Sequence, residues 1–463
     1  MPAMNVPAPV ISTALHFKSA LLPDGWGREV RVEIADGRFG KVSRDTAPQA
    51  GDERWEVGLP GMPNVHSHGF QRGMAGLTEY RGADADNFWS WRELMYRFVQ
   101  RMTPDDLQAV TAMAFLEMLE TGFTRVGEFH YVHHDPAGKP YADPAEMMTR
   151  VAAAAVESGI ALTLLPVFYA HGNFGGRPPT EGQRRFISDV PGFARLLESG
   201  QRIARSLPDA NCGIAPHSLR AVTPEQLASL TALAPAGPIH IHAAEQVKEV
   251  DDCLAWSGAR PVQWLLDHAA VDSRWCLVHA THMTPDEVRR LAQSGAVAGF
   301  CPVTEANLGD GIAPAQPFLG AGGAFGIGTD SNVSIGASEE LRQLEYSQRL
   351  RDRARNVLVS DHSRSTGQTL YANAVHGGTQ ALGLQPAGIS VGAPADCLAL
   401  AADAAALACR GEASLLDSFI FVAGANCIDT VWRGGRKLVS QGKHHARAKI
   451  EAQYVAALKR IIL

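Results

Sequence analysis

Eight short apolar runs, each followed by a stretch with helical spacing, constrain this chain more than any other feature. In order they read "GMPNVHSHG", "TRVGEFHYVH", "IALTLLPVFYAHG", "CGIAPHSLRAV", "PIHIHAAE", "WCLVHATH", "AVAGFCPVTEANLG" and "AFGIGTDSN". Strand followed by helix, repeated, is the pattern of βα units and a parallel sheet. Eight is the number that closes a barrel. Three intervening segments, "TPDDLQAVTAMAFLEMLETG", "TPEQLASLTALA" and "TPDEVRRLAQSG", begin with a capping Thr ahead of a first-turn Pro, and Gly ends the first and the third. The period is too irregular for a solenoid.

The flanks have a different texture. Residues 10–58 alternate apolar and polar with turn signals at "LPDGWG" and "ADGRFG", which suits a small antiparallel unit. After about residue 365 a helical stretch, "TLYANAVHGGTQALGL", gives way to "ISVGAPADCLALAAD" and "DTVWRGGRKLVSQGK", again short strands with glycine turns. The expected architecture is α/β: a TIM-like (β/α)8 barrel over residues 59–370, beside a small β-sandwich built from 1–58 and 371–463, the last part also carrying a terminal helix.

With 463 residues and 46% hydrophobic content the chain can bury a large core. Its net charge of -6, without a basic run, gives no pull toward nucleic acid or acidic membranes, so the expected partner is a small molecule. Seven scattered cysteines without a CxxC pair exclude a disulfide framework and a zinc ribbon, and fit a reducing compartment. The first residues lack the basic and apolar parts of a secretory leader, and no apolar run reaches the roughly 18 residues of a membrane span. A soluble cytoplasmic protein is expected.

Titratable residues sit at the C-terminal ends of nearly all eight runs, and in a βα barrel those ends line one mouth. His66 and His68 are two apart, so on an extended strand their imidazoles converge. His242 ends the fifth run and Asp330 the eighth. Three imidazoles and a carboxylate suit zinc or another divalent ion, with a position left for water. Spacing alone does not separate His240 from His242, which share a strand face. Position does, because His242 is nearer the mouth and His240 a layer deeper. Glu245, three residues past His242 where the strand has ended, can take a proton from a metal-bound water and return it to a leaving nitrogen. His279 ends the sixth run and can orient the hydroxide. His282 falls at the rim. The cluster of His130, His133 and His134 is not needed for the metal.

The motifs "PNVHSHG", "HIHAAE", "LVHATH" and "GIGTDSN", in this order, resemble the amidohydrolase superfamily in its single-metal branch of amine and imine hydrolases. The resemblance spans essentially the whole chain. It implies that His66, His68, His242 and Asp330 are metal ligands and that Glu245 and His279 are the acid–base pair, with Asp330 also orienting the nucleophile. No lysine stands in "GIAPHSLRAV" on the fourth strand, where a two-metal hydrolase would need one.

Further segments, "HSHGFQRGMAGL", "FWSWRELMY", "GEFHYVHHDPAGKPY", "APHSLRAV" and "CPVTEANLGDG", are similar to those of the N-formimino-L-glutamate deiminase family of histidine degradation. That likeness implies hydrolysis of a formimino group to N-formyl-L-glutamate and ammonia, one divalent ion per subunit with zinc the first candidate, and a homodimer. A dicarboxylate substrate needs cationic forks, which Arg92 and Arg220 can supply, while Gln71, Tyr131 and His217 can complete the hydrogen bonds. A deaminase of a purine, pyrimidine or related ring is the alternative, and gives no reason for two guanidinium groups at the mouth. A non-catalytic metal-binding scaffold predicts damaged motifs, and here they are intact.

Overall fold

The computed structural model describes residues 13–81, 87–360, 363–401 and 403–462. Residues 1–12, which the sequence assigned to the small β unit, lie outside them. Four strands open the chain: β1 (Thr13–Leu22), β2 (Gly25–Ala35), β3 (Arg38–Ser43) and β4 (Glu53–Pro60). The barrel strands follow as β5 (Met62–Ser67), β6 (Phe123–His130), β7 (Ala161–Phe168), the short pair β8 (Asn211–Cys212) and β9 (Ala215–Pro216), then β10 (Ile239–Ala243), β11 (Trp275–His279), β12 (Val297–Phe300) and β13 (Ala324–Ile327). Four more close the chain before its last helix: β14 (Cys397–Leu400), β15 (Ile428–Arg433), β16 (Arg436–Ser440) and β17 (Lys443–His444).

All neighbours from β10 through β13 and β5 to β8 pair in parallel. Every residue of β5, β6 and β7 is buried, as a sheet covered on both faces requires. The fourth run is two short pieces, each paired in parallel with β7. Parallel bridges Ile214–Ile239 and Ser218–His242 still join it to β10 and complete the circle. Gly213 permits that approach, since a Cβ there would stand 2.3 Å from the Pro238 carbonyl oxygen.

The two chain ends meet at one seam, where β4 pairs antiparallel with β14, Leu59 opposite Leu398. The result is a single eight-stranded sheet, ordered β17-β16-β15-β14-β4-β1-β2-β3. Phe17 on β1 and Trp432 on β15 bring their ring centroids within 6.4 Å although two strands separate theirs. At about 4.8 Å per strand step a flat sheet would hold them near 14 Å apart, so the sheet curls around a core of its own. The sandwich expected from the sequence thus takes the form of one curled sheet. The helix Thr366–Ala381 runs across residue 370, where the sequence placed the end of the barrel, and packs on β13 and β5. Its Gly377 allows this, because a Cβ there would meet the Phe325 carbonyl at 2.1 Å.

His444 ties the small sheet to the barrel. Its Nε2 donates to the Ser158 carbonyl at 2.8 Å, and its Nδ1 accepts from the Ala446 N–H at 3.1 Å. Only the neutral ring makes both bonds, and burial pushes the imidazole down to about 4. A base with a depressed folded pKa stabilises above its unfolded value near 6.5 and loses that contribution as pH falls toward 4. Denaturant titrations at pH 7 and pH 4.5 are expected to differ by less in His444→Gln than in the wild type, by up to about 3 kcal/mol. Equal differences would mean that His444 charges freely in the folded protein.

Candidate active site

The ends of β5, β10 and β13 bring three imidazoles and a carboxylate to one point. His66 Nε2 lies 3.2 Å from His68 Nε2 and 3.1 Å from His242 Nε2. Asp330 Oδ1 is 3.4 Å from His66 Nε2 and 3.2 Å from His68 Nε2. One ligand atom from each of the four falls within 4.8 Å of all the others. Outer contacts set the tautomers: His68 Nδ1 donates to the Phe129 carbonyl at 3.0 Å, and His242 Nδ1 to the His217 carbonyl at 2.9 Å. Carbonyls only accept, so the protons sit on Nδ1 and the Nε2 lone pairs point inward. Burial also pushes the His66 imidazole down to about 3, which keeps it neutral. Inward lone pairs at this spacing repel one another unless a cation lies between them. The donor set therefore fits a divalent metal ion.

The loop after β13 is held in an unusual shape. Asp330 and Asn332 have φ of 43° and 55°, in the left-handed region that costs most residues free energy. The Asn332 amide offsets this by donating to the carbonyls of His68 and Asp330, both at 3.1 Å, while its oxygen accepts from Thr329 Oγ1 at 2.6 Å. Asn64 on β5 donates to the same Thr329 hydroxyl at 2.7 Å. Sequence reading named neither asparagine. The signal was the run "TDSN" itself, rich in residues that tolerate positive φ.

Behind this cluster stands a second polar group. Glu245 Oε1 is 3.7 Å from His279 Nε2, and its Oε2 is 3.6 Å from Arg220 Nη2. Burial raises the Glu245 carboxyl above the usual carboxylate range. Burial opposes charge on His279, but the carboxylates of Glu245, Glu305 and Asp330 outweigh it and lift the imidazole to about 10. His279 Nδ1 donates to Glu305 Oε1 at 3.3 Å. Glu249 accepts the N–H groups of Ala244 at 3.2 Å and Glu245 at 3.0 Å, holding a backbone whose Ala244 has φ of 53°. Sequence reading named neither Glu249, whose contacts are local, nor Glu305, which acts on His279 across 26 residues.

Arg92, on the helix Phe88–Gln100, and Arg220 both face the recess that opens above this cluster, together with Gln71, Tyr131 and His217. The recess is a small one, with a cavity volume of about 60 Å³. Trp89 organises the two guanidinium groups, with Arg92 4.6 Å and Arg220 5.9 Å from its ring centroid. Among the described residues the Nε atoms of both arginines are buried without a partner. Gln71 Nε2 donates to the Tyr131 hydroxyl at 2.8 Å. Burial holds the Tyr131 phenol protonated and the His217 imidazole neutral.

The remaining histidines serve the framework. His240 donates to the Ala381 carbonyl at 2.7 Å, a layer beneath His242. His133 and His134 donate to the carbonyls of Val167 and Ile187 at 2.8 and 2.7 Å, and His130 packs its ring on His133. His282, at the rim, donates to the Asp310 carbonyl at 2.8 Å.

The chain belongs to the amidohydrolase family, whose model matches residues 57–438. Residues 12–56 match the model described as the N-terminal domain of formimidoylglutamate deiminase HutF. Over 97% of its length the sequence is 50% identical to formimidoylglutamate deiminase of Pseudomonas aeruginosa, covering 100% of that protein. It is 30% identical to 8-oxoguanine deaminase of the same organism, with 70% of this chain and 72% of the relative covered. The crystal structure of an amidohydrolase from Brucella melitensis, 52% identical, superposes with a TM-score of 0.95 over 97% of this chain and 100% of that one.

Proposed function

We propose that this protein hydrolyses the formimino group of N-formimino-L-glutamate, giving N-formyl-L-glutamate and ammonia. The observation that carries this reading is the pairing of a cluster of three imidazoles and a carboxylate, suited to a metal, with two arginines in one recess, Arg220 buried and Arg92 half-buried. The 50% identical deiminase supports it over the whole chain. In this reading His66, His68, His242 and Asp330 hold one divalent ion, with zinc proposed for its fit to three imidazoles and a carboxylate. When bound, such an ion acts as a Lewis acid that brings the pKa of a water toward neutrality.

The chain's own residues do the rest. Asp330 and His279 orient the attacking water. Glu245 takes one water proton and delivers it to the imino nitrogen as the oxygen adds to the formimino carbon; the remaining hydroxyl proton then passes through the same carboxyl to that nitrogen, so that the C–N bond breaks, ammonia leaves and the amidine becomes a formamide. Its raised pKa suits a group that must both accept and release a proton. Arg92 and Arg220 pair with the two substrate carboxylates, and Gln71, Tyr131 and His217 complete the hydrogen bonds.

Ammonia release from N-formimino-L-glutamate, measured on the zinc-loaded protein beside guanine, cytosine and adenosine, is the test. Release from the glutamate compound alone is expected. Release from a heterocycle alone would keep the hydrolytic site and overturn the roles of Arg92 and Arg220.

No helix among the described residues is long and apolar enough to cross a membrane. A cytoplasmic location is proposed because the seven cysteines are free thiols, as a reducing compartment keeps them. A homodimer is proposed as well. An exposed apolar patch supports it, with Leu350 78% and Val422 67% exposed beside the stacked rings of Tyr346 and Phe421. A sedimentation mass of one chain would exclude the dimer.

A further inference from the structure

Tyr169 follows β7 directly, so its ring stands at the mouth of the barrel, its centroid 4.5 Å from that of His217. The side chain is buried, and it lines the same recess as Arg92 and Arg220. Its hydroxyl oxygen lies 2.7 Å from Nε2 of Gln183, in the short turn Glu181–Gln183.

The direction of that hydrogen bond is decided one step further back. Gln183 Oε1 accepts the backbone N–H of Thr180 at 2.7 Å and meets the Thr180 hydroxyl at 3.2 Å. A backbone N–H can only donate, so the amide oxygen must face Thr180 and the amide NH2 must face Tyr169. The phenol oxygen is therefore an acceptor toward Gln183, and its own proton points elsewhere. Among the described residues no side chain or carbonyl takes that proton. The surroundings are rich in donors: Arg220 lies within electrostatic reach of Tyr169, and the Nε atoms of Arg220 and Arg92 have no partner either. Beyond the Arg220–Glu245 ion pair, the Tyr169 O–H and the two arginine Nε–H groups remain donors without an acceptor, the complement of an anion with several lone pairs.

We propose that Tyr169 donates its hydroxyl proton to the substrate carboxylate held by Arg220, and that Gln183 is a positioning residue that keeps this phenol a donor. The inference rests on the proposed dicarboxylate substrate. It adds a determinant that lies outside the arginine pair and explains why a glutamine is buried behind a tyrosine. The hydrogen bond orients the substrate carboxylate and exchanges no proton with the formimino group, so it acts on binding and not on the chemical step.

The test uses the zinc-loaded full chain with Tyr169→Phe, Gln183→Glu and the double variant. It reads KM and kcat for N-formimino-L-glutamate, and the Kd of glutarate by calorimetry. Loss of one hydrogen bond to a charged group predicts that Tyr169→Phe raises KM and the glutarate Kd about tenfold or more, with kcat within about twofold. The carboxylate introduced by Gln183→Glu accepts from both Thr180 and the phenol, turning the Tyr169 proton away from the recess. Gln183→Glu is thus expected to weaken binding about as much, and to add less than about twofold when combined with Tyr169→Phe. Unchanged KM and Kd in Tyr169→Phe overturn the proposal, and additive effects in the double variant overturn the role of Gln183. A wild type that binds glutarate yet releases no ammonia refutes the proposed substrate while the calorimetric arm still decides for Tyr169. A wild type that does neither refutes both.

Discussion

Glu245→Gln is expected to keep its metal and to lose turnover by about 10³-fold, the middle of the range for removing a general acid–base group. The two side chains have the same shape, and Glu245 is not among the four residues whose ligand atoms converge. The backbone N–H of residue 245 stays bonded to Glu249, so the loop has no reason to move. What disappears is the capacity to accept a proton from water and release it to nitrogen. Metal content by atomic absorption and kcat on N-formimino-L-glutamate measure the two halves separately. Turnover near the wild type would remove Glu245 from the mechanism, whereas a loss of metal would make it part of the ligand set.

His242→Ala is expected to do the reverse, losing the metal and with it the activity. Removing even an outer partner of a ligand costs about 10–100-fold in metal affinity, so removing the ligand itself must cost more than about 100-fold. The substitution leaves His66, His68 and Asp330, two of which also lose an imidazole neighbour that shared their geometry. Stability should suffer little, because the side chain borders the recess and water can fill the space. Competition with a chromophoric chelator reads the affinity without any need for activity. An affinity within about threefold of the wild type would exclude His242 from the site and bring His240 back into question.

That choice between His240 and His242 marks where the sequence stops being sufficient. Both lie on one strand face, and only the level of each along β10 separates them: one donates to a carbonyl of the helix Thr366–Ala381, the other meets His66. The helix caps at Thr103, Thr223 and Thr284 were legible because each rests on contacts within four residues, and all three side chains bond the N–H three residues on. The joining of β4 to β14 spans more than 300 residues, and matching texture suggested the partnership without its register. Glu305 stayed hidden for a related reason: it does its work on His279, which lies 26 residues away and comes near only in the fold.

By itself the sequence determined what local periodicity and residue chemistry can carry: eight βα units, the pair His66 and His68 converging from one strand end, and the types of group gathered at the barrel mouth. Period-2 alternation and capping are short-range physics, and they are written where they act. Only the tertiary structure decided which nitrogen of each imidazole carries the proton, how deep His240 sits, and that one curled sheet would unite the two ends. Tautomers depend on carbonyls from other strands, Phe129 for His68 and His217 for His242. Those partners exist only after the barrel has closed, because closure is what sets strand ends from distant parts of the chain side by side.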